Sequence, residues 1–121
     1  FDDIWSGVLL KRAADVVGAD VYNGFPLCEH NKAPRSTFDD LANEVAGLEL
    51  NEHFWKEVAG VDPDEDSYAA VARAVGERLA EGDYSEYNNG AFLNECGEYL
   101  LDWVACCDAL ADRAVAAPAD D

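Results

Sequence analysis

The stretch AFLNECGEYLLDWVACCDALADRA, residues 91–114, decides how this chain is read. Phe92, Cys96, Tyr99, Leu100, Trp103, Cys107, Leu110 and Ala114 recur at steps of three and four, so they share one stripe of an α-helix. The stripe predicts the strongest helix of the chain, packed against the body of the protein or against a partner subunit. Ala116 to Asp121 should fray beyond it.

Working back from this helix, Asp83 to Gly90 is a turn-rich link. A second amphipathic helix starts at Ser67 and ends near Gly82, with Tyr68, Val71, Ala72, Val75 and Leu79 on one face. Val61 to Asp66 is an acidic break containing Pro63. A short helix is predicted over Asn51 to Ala59, with Phe54, Trp55 and Val58 on one side. Another runs from Phe38 to Ala46, capped by Ser36 or Thr37 and stopped at Gly47. Asn31 to Thr37 is polar, contains Pro34 and reads as a loop. Between Ala19 and His30, Asn23-Gly24 and Pro26 break helix, and Val21-Tyr22 and Phe25 to Cys28 read as brief strands. The first helix covers Asp3 to Val17, with Ile4, Trp5, Val8, Leu9, Ala13, Val16 and Val17 at helical spacing. Asp2 is its expected N-cap and Gly18 its C′ residue. The fold class is therefore mainly α, about five helices with one or two short strands. So small a hairpin is marginally stable alone, so the strands are expected to belong to a sheet completed by sequence outside this chain.

The chain has 121 residues, starts at Phe1 and contains no Met, which predicts a fragment or a processed chain. Its 26 acidic residues against 8 basic ones give a net charge of −18. Such a surface repels nucleic-acid backbones and anionic membranes, so neither is an expected partner. Half of the residues are hydrophobic, which excludes a disordered acidic tail. Abundant Asp and Glu with only three lysines points to adaptation to high salt, where screening relieves self-repulsion. Neither a signal-peptide pattern nor an apolar run of membrane-spanning length is present, so the expected location is the cytoplasm. The four cysteines form no Cys-x-x-Cys pair. Cys96, Cys106 and Cys107 are expected to be small buried hydrophobes.

Three stretches resemble one family. Phe1-Asp2-Asp3-Ile4-Trp5-Ser6-Gly7 is similar to the Asp-Asp-apolar-Trp-small-Gly motif of the reversibly glycosylated polypeptide (UDP-arabinopyranose mutase) family. Tyr22-Asn23-Gly24-Phe25-Pro26 followed by His30-Asn31-Lys32-Ala33 resembles that family's Gly-apolar-Pro turn and its His-polar-Lys-Ala sequence. Leu100-Leu101-Asp102-Trp103-Val104 falls where the family has a terminal Trp-bearing helix. Glu29 stands where the family usually has an aromatic residue, and Pro34-Arg35 replaces a Ser- and Asn-rich stretch. The resemblance implies the C-terminal part of a GT-A-like α/β glycosyltransferase or UDP-sugar mutase. Residues 1–60 would close its catalytic domain and residues 61–121 would form a helical hairpin extension. It also implies a UDP-sugar substrate, a divalent metal such as manganese or magnesium, and a missing N-terminal half or a homo-oligomer as partner.

The residues themselves support roles of this kind. A carboxylate at a helix start is stabilised in its ionised form, so Asp2 and Asp3 are candidates for an acceptor-side acid or base; their plain alternative is N-capping. His30 and Lys32, two apart in extended backbone, share a side. His30 is a candidate metal ligand, and Lys32 and Arg35 candidate diphosphate contacts. Trp5 could stack on a sugar, or serve the core. Trp55 and Trp103 read as core or interface, and His53 as a solvated surface residue. Asp62-Pro63-Asp64-Glu65-Asp66 lacks EF-hand spacing and reads as a solvated face. Alone, the fragment is not expected to turn over substrate. The reading of a different class is a non-catalytic, acidic, helical interaction module, for which an exposed stripe on the last helix would be the sign.

Overall fold

The structure, a computed structural model, describes residues 2–27, 29 and 36–116. Four helices carry the fold: α1 (Asp2–Val16), α2 (Thr37–Ala59), α3 (Tyr68–Glu81) and α4 (Ala91–Ala116). The mainly α expectation holds. The expected strands are not formed: Val21 to Leu27 is exposed, and no strand is present among the described residues. Five helices become four because the segments expected over 38–46 and 51–59 are one continuous helix. Gly47 lowers helix propensity by only about 1 kcal/mol, too little to end a helix whose next turns bury Leu50, Phe54 and Val58.

The helix ends follow local chemistry. Ser36 and Ser67 have extended backbone, and their hydroxyls accept from the N–H groups of Asp39 (3.3 Å) and Ala70 (3.1 Å). At the end of α1, Gly18 takes φ 71° and donates to Asp15 O, while Ala19 donates to Ala14 O at 2.8 Å. That pair is a Schellman cap, which only a residue at ease with positive φ closes without strain. Beyond α3, the Asn94 amide reaches back from α4 to the carbonyls of Leu79 (2.9 Å), Ala80 (3.1 Å) and Gly82 (2.9 Å). It satisfies acceptors that the helix end leaves open.

α3 and α4 form the tightest pairing, joined antiparallel by the 82–90 link. Glycines set its closeness. A Cβ on Gly97 would lie 2.4 Å from Ala80 N and 2.7 Å from Gly76 O, and one on Gly76 would lie 2.9 Å from Leu101. Val71, Val75 and Leu79 of α3 and Leu93 of α4 are almost wholly buried at and beside this contact. α1 and the second half of α2 complete the core through Trp5, Ala13, Leu50, Phe54 and Val58.

This packing corrects the reading of α4. The face turned to α3 carries Leu93, Gly97 and Val104, with Arg73 of α3 paired to Asp108 at 2.7 Å. Most of the predicted stripe points elsewhere: Phe92, Tyr99, Trp103 and Leu110 are each half exposed or more. Trp55 and Trp103 are accordingly not core. Cys96 is half-buried, and Cys106 and Cys107 are exposed rather than buried. The first half of α2 is likewise open, with Phe38, Leu41, Val45 and Leu48 on its surface.

Candidate functional site

A groove opens where α1 and α4 stand apart over the floor made by α2 and α3. Contacts from α4 to α1 and α2 are sparse, because the glycine contact holds α4 against α3. The space left has a volume of about 500 Å³, within the range of small-ligand and peptide-anchor sites. Its walls are Trp5, Ser6 and Leu9 of α1 and Phe92, Cys96 and Leu100 of α4; Phe54, Val75 and Leu79 lie beneath.

Trp5 is the centre of the groove. Its indole is 7 % exposed, stacks on Phe54 at 4.3 Å and 9°, and meets the tilted ring of Phe92 at 6.0 Å. Its Nε1–H donates to Asn51 Oδ1 at 3.2 Å, so the buried polar end is satisfied. Trp5 is thus a core residue with one edge in the wall of a cleft. Cys96 shares that wall; burial, then the charge of Glu95, pushes its thiol pKa up and keeps it protonated. A second hollow continues past Trp5 and Phe92 toward Asn43, Glu44, Leu50 and Asn89.

In the other direction the groove runs into the exposed line on α4. Phe92, Cys96, Tyr99, Trp103, Cys106 and Leu110 alternate steps of four and three. At 100° per residue they stay within about 40° of one line, the 3.5-residue seam of a coiled coil. α4 therefore has two apolar faces, one used by α3 and one open.

Of the candidate catalytic, substrate and metal residues that are described, Trp5 lies in the groove and Asp3 does not. Asp3 is exposed at the start of α1, where its Oδ1 accepts the N–H of Ile4 at 2.9 Å. Asp2 is the first residue of α1. His30, Lys32, Arg35 and Cys28 lie outside the described residues. Among the described residues, no group of three or more His, Cys, Asp or Glu is placed to hold a metal ion, the acidic 62–66 break included. No helix among them is long and apolar enough to cross a membrane.

One polar constellation escaped the sequence reading. His53 is half-buried, not solvated, and stacks on Tyr87 with ring centroids 3.7 Å apart. Beside it Glu57 pairs with Arg78, and the Tyr84 hydroxyl lies 3.5 Å from Arg78 O. Burial, then the charge of Glu57, pushes the Tyr84 phenol pKa up. The cluster fastens the 82–90 link to α2; its aromatic spacing, three residues apart in a segment that reads as turn, was the only sign in the sequence. No family model matches this chain, and neither a curated protein nor a solved structure matches it.

Proposed function

We propose that this chain is a non-catalytic helical interaction module whose groove and outer α4 seam receive an apolar helix. The observation that carries the reading is the second apolar face of α4. Phe92, Tyr99, Trp103 and Leu110 are 50–70 % exposed on one helical line that runs into the groove beside Trp5. Scattered exposed apolar residues are ordinary on a protein surface, but a continuous line of large aromatic ones is a mark of a contact surface. Helix-in-groove recognition needs such a row of anchors.

The test uses an 18-residue helical peptide with Leu at the a and d heptad positions and Gln elsewhere, titrated into the full 121-residue chain. Binding at a Kd of roughly 10 μM, weakened by Trp103→Ser, is the expected result. No binding up to about 1 mM would overturn the reading. The nucleotide-sugar reading is the alternative, resting on the motif resemblance and on Asp3 two residues before Trp5. Saturable, manganese-dependent binding of a UDP-sugar would favour it instead.

A further inference from the structure

The charges along the open face of α4 choose its partner. From this distribution we infer that the groove and seam take an amphipathic helix of another polypeptide, flanked by Lys and Arg, and not a second copy of this chain. The inference rests on the docking reading above and adds the chemistry of the occupant.

Glu95, Asp102 and Glu98 are exposed on α4. By helical rotation they lie about 60°, 80° and 120° to one side of the seam line. The other side is occupied by Leu100, Cys107 and the approach to α1. The seam therefore has an apolar border toward α1 and an acidic border on its free side. Glu44 adds a fourth carboxylate where the hollow continues past Trp5 and Phe92.

Four of the described cations are paired away from this border: Lys11 with Asp15, Lys56 with Glu52, Arg73 with Asp108 and Arg78 with Glu57. Arg12 sits on the opposite side of α1 and donates to Val61 O. Arg113 follows Leu110 on the acidic side, past the last apolar anchor. Among the described residues, no Lys or Arg lines either hollow of the groove.

A second copy would bring the same acidic border to face itself, on chains that each carry −18. Like charges across an interface oppose association, and opposite ones select the partner and speed its approach. The dimensions fit one helix. Phe92 to Leu110 spans about 27 Å at 1.5 Å per residue, the length of an 18-residue partner.

The experiment extends the Gln-flanked peptide to a charge series on the same Leu seam, one with Lys and Arg flanks and one with Glu flanks. Affinities are read by calorimetry on the full chain at about 0.15 M salt, and the chain alone is examined by sedimentation. The inference predicts that the basic peptide binds at least about tenfold more tightly than the Gln-flanked one, and that the Glu-flanked one binds worst. The triple variant Glu95→Lys, Glu98→Lys, Asp102→Lys should invert that order while keeping Gln-flanked binding. Equal affinity for all three peptides would overturn the inference and leave the docking reading standing. Binding of none would overturn both. A stable dimer that excludes the peptides would show that the occupant is a second copy and overturn the inference.

Discussion

Gly97→Ala should destabilise this protein, although the same exchange in most helices does the reverse. Replacing Gly by Ala inside a helix gains roughly 0.5–1 kcal/mol, because Ala loses less backbone freedom on folding. At Gly97 the new methyl would meet Ala80 N at 2.4 Å, Gly76 O at 2.7 Å and Leu79 C at 2.9 Å. All three are backbone atoms of the facing helix, so no side chain can swing aside. Relief to an ordinary contact needs α3 and α4 to part by roughly 1 Å, and a gap of that size forfeits a quarter to a half of each dispersion contact across it. The seam that would open packs Val71, Val75 and Leu79 against Leu93. Overpacking of this kind costs about 1–3 kcal/mol and here more, since a whole interface moves. Against the propensity gain, the net loss should be about 2–4 kcal/mol, a fall of roughly 8–16 °C in melting temperature. Gly7→Ala is the internal control: nothing lies within 4 Å of the place its methyl would take on α1, so only the propensity term remains. It should raise stability by roughly 0.5–1 kcal/mol. Chemical and thermal unfolding followed by circular dichroism measures both. Shifts of the same sign, or a Gly97→Ala protein as stable as its parent, would refute the glycine-set pairing of α3 and α4.

Asn94→Ala removes the amide that serves the carbonyls of Leu79, Ala80 and Gly82, and should cost about 1–2 kcal/mol in the same unfolding assay. Tyr84 ties pH to stability. Its phenol pKa is raised in the folded state, so the folded chain holds the proton more tightly than the unfolded one. Its stabilisation is complete below the unfolded value near 10 and is lost as pH rises through the folded value. Tyr84→Phe should flatten the alkaline decline of the melting temperature above about pH 10. With iodoacetamide at neutral pH, Cys106 and Cys107 should label before Cys96, which is half-buried with its thiol pKa raised and should react roughly tenfold more slowly. Mass spectrometry of the digested chain reads the order.

Local signals carried most of the helical fold. Ser36, Ser67 and Gly18 cap helices where their side chains or backbone freedom allow, and Val71, Ala72, Val75 and Leu79 of α3 point inward as their spacing requires. Gly47 misled because a single glycine is a weak stop when apolar residues follow in phase. Val21, Tyr22 and Phe25 have strand-forming side chains but no paired strand among the described residues. α4 shows the deeper limit. It has two apolar faces, and periodicity detects both without ranking them. The larger side chains of Tyr99 and Trp103 made the outer face look like core, whereas the choice was made by Gly97, which lets α3 approach the other face. The groove follows from that same choice, so its walls were legible as residues but not as a cavity. The docking chemistry was visible only in outline, as an acidic chain with an apolar stripe, until the stripe was found to face outward.

The most direct test of the account is the double variant Tyr99→Ser, Trp103→Ser, measured both for stability and for binding of the Lys- and Arg-flanked helical peptide. If the outer face of α4 is a docking surface, stability should change by about 1 kcal/mol or less while affinity falls by more than about tenfold. A loss of several kcal/mol would mean that these side chains are core, and unchanged affinity would mean that the helix docks elsewhere; either result contradicts the account.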